Sequence, residues 1–195
     1  MKRVINLGLF LFALLLSANV KASSLLSVKV ENASTINVSL SNISKGQKLY
    51  LKDYSGTILF NVTLDAMPSY KKYFNLNTVD KGIYFVETET EFDVKITPVL
   101  KNSKGIALIE NSTVTIFKPK VVVEDQIARV MLTRVEKSPL RISIYDDKGF
   151  ILFTEKIEEG NTIFERNYNF ESTPSGKYTI YFALKDRVFA KEIDI

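Results

Sequence analysis

The chain has 195 residues, with 26 Lys and Arg against 22 Asp and Glu, and no Cys, His or Trp. Without imidazole or thiol it lacks the means for most zinc sites, most acyl-transfer triads and all thiol chemistry, and no disulfide can staple it. Its formal net charge of +4 is not gathered into dense Lys and Arg clusters, so a nucleic-acid footprint is absent and no nucleic-acid partner is expected.

Met1-Lys2-Arg3 is a short positive start, and Val4 to Leu16 follows as thirteen uncharged residues. Ser17 to Ala22 then places Val20 and Ala22 at the −3 and −1 sites of an export peptidase, so residues 1–22 read as a cleaved signal peptide. The apolar run is too short for an anchor, since spanning a bilayer takes about 20 residues. A lipoprotein anchor would need a Cys, and there is none. No second apolar run follows, so no transmembrane segment is expected in the mature chain, and the protein is expected in the periplasm, at the cell surface or outside the cell. Lys2, Arg3 and Lys21 leave with the signal, so the 173 residues from Ser23 to Ile195 carry 23 basic against 22 acidic residues.

Beyond Ser23 the pattern has a period of two. Val28 and Val30 alternate with Lys29 and Glu31, and Ile36, Val38 and Leu40 with Asn37 and Ser39. Phe92, Val94 and Ile96 alternate with Asp93 and Lys95, and Ile142 and Ile144 with Arg141, Ser143 and Tyr145. Such alternation sends the apolar set to one face of a sheet. Turn signals stand between the runs at Ser44-Lys45-Gly46, Asp53 to Gly56, Met67-Pro68-Ser69 and Asp80-Lys81-Gly82. That spacing predicts an all-β sandwich or barrel, and no stretch of the mature chain has sustained helical periodicity.

The chain also resembles itself. Asp53, Gly56, Ile58, Leu59 and Phe60 recur as Asp146, Gly149, Ile151, Leu152 and Phe153, 93 positions later. Gly82 and Tyr84 recur as Gly176 and Tyr178 at an offset of 94, and Phe74-Asn75-Leu76 answers to Tyr168-Asn169-Phe170. The order is kept throughout, which predicts a β-sandwich repeat at 23–105, an extra hairpin or linker at 106–117, and a second repeat at 118–195. Each repeat has a core near 75 residues long and would bury only about 60 per cent of its unfolded surface. The two are therefore expected to pack together and share stability.

The recurring residues suit structural roles. Asp53 and Asp146 open four-residue turns that Gly56 and Gly149 close, with the carboxylate accepting the turn's own amides. Asp146-Asp147 as a calcium pair is the alternative, though such a site needs six or more oxygens. Gly82-Ile83-Tyr84 and Gly176-Lys177-Tyr178 resemble the tyrosine corner of immunoglobulin-like sandwiches, in which a Tyr near a strand start bonds back to upstream backbone. Val86 and Ile180 stand where antibody domains have Cys.

On these motifs the chain resembles the immunoglobulin-like domains of secreted Bacteroidetes proteins. The last 75 residues or so are similar to the C-terminal sorting domains of type IX secretion cargo, with Asp146, Gly149, Gly176, Tyr178 and Lys191 at the matching positions. The resemblance implies two tandem immunoglobulin-like β-sandwiches and an address role for the second.

No catalytic constellation emerges. Glu158-Glu159 beside Gly160-Asn161 reads as a solvated hairpin end. Ser69-Tyr70-Lys71-Lys72 has the spacing of Ser–Lys acylases, but that spacing works only on a helical turn. Exposed Tyr50, Tyr54, Tyr70 and Tyr145 offer sugar or peptide platforms, or simple cross-strand packing. The reading is an exported, non-catalytic protein for binding, adhesion or envelope assembly, with no metal or cofactor and an unknown protein or glycan of the cell envelope as partner. Its alternatives are a type IX secretion substrate and a two-domain periplasmic chaperone. The latter needs an Arg–Lys anchor, for which Arg129, Arg134 and Lys120 are candidates by position.

Overall fold

Alternating apolar and polar residues become β-strands along the chain, because side chains two apart share a sheet face and are buried together. The computed structural model describes residues 25–134, 138–158 and 162–195 and contains no helix among them. The expected signal peptide, residues 1–22, and Glu159-Gly160-Asn161 lie outside the described residues.

Seven strands build the first sandwich: β1 (Leu25–Asn32), β2 (Thr35–Ile43), β3 (Gln47–Asp53), β4 (Ile58–Leu64), β5 (Met67–Asn75), β6 (Gly82–Glu89) and β7 (Asp93–Asn102). Two short strands follow, β8 (Gly105–Leu108) and β9 (Val114–Phe117). Seven more build the second: β10 (Lys120–Glu124), β11 (Ile127–Thr133), β12 (Leu140–Asp146), β13 (Ile151–Ile157), β14 (Ile163–Asn169), β15 (Lys177–Leu184) and β16 (Arg187–Asp194).

The sheets repeat. The first sandwich has orders β1-β2-β5 and β4-β3-β6-β7, and the second has β10-β11-β14 and β13-β12-β15-β16. Strand pairing is antiparallel throughout, and even a register shift recurs, between Leu51 and Lys52 on β3 and between Ile144 and Tyr145 on β12. The protein is therefore all-β, two tandem immunoglobulin-like sandwiches. Each has its own core. Ile36, Val38 and Leu40 of β2 face Leu49 and Leu51 of β3 and Val86 of β6, while Val130 and Leu132 of β11 face Ile142, Ile144, Ile180 and Phe182.

Two local differences from the sequence reading, at Met67-Pro68-Ser69 and at Phe92, have physical causes. Met67, Pro68 and Ser69 open β5 and do not form a turn. Pro68 lacks an N–H to give, and it falls opposite Asn42, whose φ of 54° breaks the ladder between Ser41↔Ser69 and Ile43↔Met67. Phe92 is not an inward strand residue. It sits on the tip between β6 and β7, 66% exposed. Residues 106–117 add two strands to the first sandwich, since β8 and β9 both pair with β7. The path needs Gly105, with φ +124°, where a Cβ would lie 3.0 Å from the Ala33 carbonyl oxygen. Ile116 of β9 then packs on the core of the second sandwich.

Candidate functional site

The residues singled out by the repeat form matched turns. Asp53 Oδ1 accepts from Ser55 Oγ at 2.7 Å and from the Thr57 amide at 2.9 Å, and the Gly56 amide donates to the Asp53 carbonyl at 3.1 Å. Asp146 Oδ1 accepts from the Lys148 and Phe150 amides at 3.0 and 2.8 Å, and the Gly149 amide donates to the Asp146 carbonyl at 3.1 Å. Gly56 and Gly149 have φ of 86° and 83°, a region closed to most side chains. The hydrogen bonds, that from Ser55 foremost, hold the exposed Asp53 carboxyl below its ordinary range. Among the described residues no group of three or more carboxylates gathers for a metal.

Tyr84 and Tyr178 are buried at the starts of β6 and β15. Tyr84 Oη donates to the Asp80 carbonyl at 2.6 Å, and Tyr178 Oη donates to that of Pro174. Gly82 begins β6, and Gly176 exchanges backbone hydrogen bonds with Ile195 at 3.0 Å. Burial, with Asp80 and Asp53 nearby, pushes the Tyr84 hydroxyl above its usual range, so it stays a donor. Tyr84→Phe and Tyr178→Phe are each expected to lower stability by about 1 kcal/mol, the value of one such bond, in urea denaturation followed by circular dichroism. Unchanged midpoints would show that the corners are dispensable.

The two turns stand at the rims of two equivalent surfaces, the outer faces of the larger sheets. In the first sandwich, Lys52, Asp53, Phe85 and Glu87 line a concavity of about 440 Å³ that the β15–β16 tip, Asp186 and Arg187, closes on one side. Glu87 is 2% exposed. Arg187 grips it with both arms, Nη1 to Oε1 at 3.1 Å and Nη2 to Oε2 at 2.6 Å, and Lys52 Nζ donates to Oε1 at 3.0 Å. Burial opposes the charge on Glu87, but the bonds from Arg187 and Lys52 outweigh it and hold the carboxyl below the ordinary glutamate range. This cluster joins the two repeats.

In the second sandwich the equivalent face is open, a concavity of about 840 Å³. Tyr145 and Tyr181 replace Lys52 and Glu87 at its centre and meet edge to face, with centroids 5.2 Å apart. Ser143, Thr179 and Ala183 keep its floor low, Arg141 stands at one end, and Asp146, Asp147 and Glu192 stand toward the other. Arg141 is exposed and makes no ion pair or side-chain hydrogen bond among the described residues.

Other candidates are already engaged. Glu155 accepts from Arg166 Nε and Nη2 at 3.2 and 3.1 Å and from Tyr168 Oη at 2.5 Å, which fixes it as a bridge between β13 and β14. Burial and then Glu155 push the Tyr168 hydroxyl far above its usual range. Arg134 is buried and donates to the Ser138 carbonyl at 3.0 Å, Arg129 is exposed with Glu124 at 3.0 Å, and Lys120 is exposed at the start of β10. Ser69 and Lys72 lie three apart on β5 and so point to opposite sheet faces. Lys191 lies mid-β16, paired with Ile180 of β15.

Neither Glu87, Arg187 nor Tyr181 stands out in a motif search. Their signal lies in the repeat itself: at aligned positions the chemistry changes from Lys52 and Glu87 to Tyr145 and Tyr181.

No family model matches this chain, and no curated protein matches it. Among solved structures it is similar to a two-domain fibronectin type-III segment of chicken tenascin, at 12% identity and a TM-score of 0.32 over 87% of this chain and 97% of that one. It is also similar to the BSP domain of a biofilm-associated protein, at 14% identity and a TM-score of 0.29, covering 92% of this chain and 31% of that one. The human OSCAR ligand-binding domain matches at 7% identity and a TM-score of 0.27 over 90% and 99% of the two chains.

Proposed function

We propose that this is an exported, non-catalytic binding protein of the cell envelope, and that its docking surface is the outer face of the β13-β12-β15-β16 sheet. The observation that carries the reading is the contrast between the two repeats. One face is filled by the protein's own β15–β16 tip, and the aligned face is open, aromatic at its centre and charged at both ends. Exposed aromatic pairs give large contact area for little lost side-chain freedom. Lack of His and Cys, and the capture of Glu87 and Glu155 in hydrogen bonds, support a binding role over a catalytic one. The open surface suits a protein segment or a glycan; it lacks the depth that encloses a small cofactor. No helix among the described residues is long and apolar enough to cross a membrane.

Binding of the purified protein to intact cells and to isolated envelope tests this. The double variant Tyr145→Ala, Tyr181→Ala is expected to bind at least about tenfold more weakly than the parent, as loss of a central aromatic anchor does. Equal binding by both, with melting temperatures unchanged, would remove the face from consideration.

A further inference from the structure

The intramolecular contact shows what this kind of face accepts. On the first sandwich the guest is a hairpin tip, Lys185-Asp186 with Arg187, and its cation meets the acid Glu87 on the sheet. The tip aligned with it, Glu91-Phe92 between β6 and β7, has the same length, and Thr90 N donates to the Asp93 carbonyl at 2.8 Å across it. Its character is inverted. Glu91 replaces Lys185, Phe92 replaces Asp186 and Asp93 replaces Arg187. The open face has also lost its central charges: Tyr145 and Tyr181 stand where Lys52 and Glu87 do, and Arg141 waits beside them.

We propose that the outer face of the β13-β12-β15-β16 sheet receives the β6–β7 tip of a second copy of this chain. This deepens the preceding reading and rests on it. Phe92, 66% exposed at the apex of its tip, lies on the Tyr145–Tyr181 pair, and Glu91 reaches Arg141. Two features of the molecule support the match. One is the equivalence of the second sandwich to a surface that already holds a tip of this shape. The other is chemistry: the tip offers the exposed Phe92 ring and the Glu91 carboxylate, and the face offers the Tyr145–Tyr181 pair with Arg141 at one end, opposite the end that carries Asp146, Asp147 and Glu192. Phe92 is the apolar residue that β7's pattern would have buried, and the fold holds it out on a tip whose backbone is fixed by Thr90 Oγ1, Asp93 and the Lys118 amide. The contact is heterologous, a tip of one copy on a face of another. Two copies close it reciprocally, and a chain of copies leaves it open.

Sedimentation velocity from micromolar to millimolar protein is the experiment. The parent is expected to associate with rising concentration. Glu91→Arg alone and Arg141→Glu alone are each expected to weaken association about tenfold or more, in line with close charge pairs across interfaces. The two variants mixed together, or the double reversal, are expected to recover it. Both positions are exposed, so melting temperatures should match the parent and loss of fold is excluded as a cause. A parent that stays monomeric throughout, or single variants that associate normally, would overturn the proposal. Its failure is separable from that of the docking surface itself. A monomeric protein whose envelope binding still depends on Tyr145 and Tyr181 takes a glycan or another protein there, whereas one whose binding ignores them has its surface elsewhere.

Discussion

Glu87→Ala is expected to cost about 2–4 kcal/mol and to break the coupling between the two repeats. The substitution removes the one anion that Arg187 and Lys52 share, 2.6 and 3.0 Å away. Removing one partner of a buried pair costs about 3–5 kcal/mol, because a charge is left desolvated. The two cations here are about a fifth exposed and can turn toward water, which lowers the figure. Glu87→Gln should cost less, since it keeps the shape and one acceptor oxygen for Arg187 or Lys52. In urea, the parent is expected to unfold in one transition and Glu87→Ala in two, because the second sandwich has its own core and the clasp is a principal tie to the first, alongside the packing of Ile116. Pairing Glu87→Ala with Arg187→Ala should return part of the loss, the signature of direct coupling. Additive losses in the double variant would mean that the clasp contributes little.

The same carboxyl sets a pH response. Its folded value lies below the ordinary one, so the folded state holds fewer protons than the unfolded state as glutamates titrate. Its contribution is fully present above about pH 4.3, the unfolded value, and fades as the pH falls through the folded value. Arg187 stays charged across that window: burial opposes its charge, but Glu87 raises its hold on the proton. Acid should therefore open the clasp between the repeats while leaving each apolar core in place.

Most of the architecture is legible in the sequence, and the places where it is not share a cause. Val38, Ile142 and Ile180 announce their faces by alternation, and the turns at Gly56 and Gly149 announce themselves by composition, because those signals are local. The clasp is not local. Glu87 is a hundred residues from Arg187, and on β6 it looks like any outward polar residue until the tip of the other repeat covers it. Residues 106–117 read as an extra hairpin or linker, but which strand β8 and β9 pair with is not legible, since four-residue strands leave little period to read. The open face on the second sandwich is legible only by comparison. Ser143, Tyr145, Thr179 and Tyr181 read as ordinary strand exteriors until their counterparts on the first sandwich are seen to hold a guest.

The comparison also locates the largest single stability effect, at Phe182. Gln47 and Thr88 of the first sandwich align with Leu140 and Phe182 of the second, and all four are buried. The first repeat fills the position with a hydrogen bond from Gln47 Nε2 to Thr88 Oγ1 at 2.8 Å, and Thr88 Oγ1 donates on to the Lys48 carbonyl at 3.1 Å. The second fills it with an aromatic ring that is 0% exposed. Phe182→Ala leaves a cavity in a core that alternating strands hold rigidly, and it is expected to cost about 3–5 kcal/mol. Phe182→Thr should cost at least as much, since its hydroxyl would face Leu140 and Ile142 with no amide like that of Gln47 to meet it. Adding Leu140→Gln to Phe182→Thr is then expected to recover about 1 kcal/mol by rebuilding the polar pair. Urea denaturation of the three variants measures this. A double variant no better than Phe182→Thr alone would show that the two repeats, though aligned strand for strand, hold these positions in different geometry.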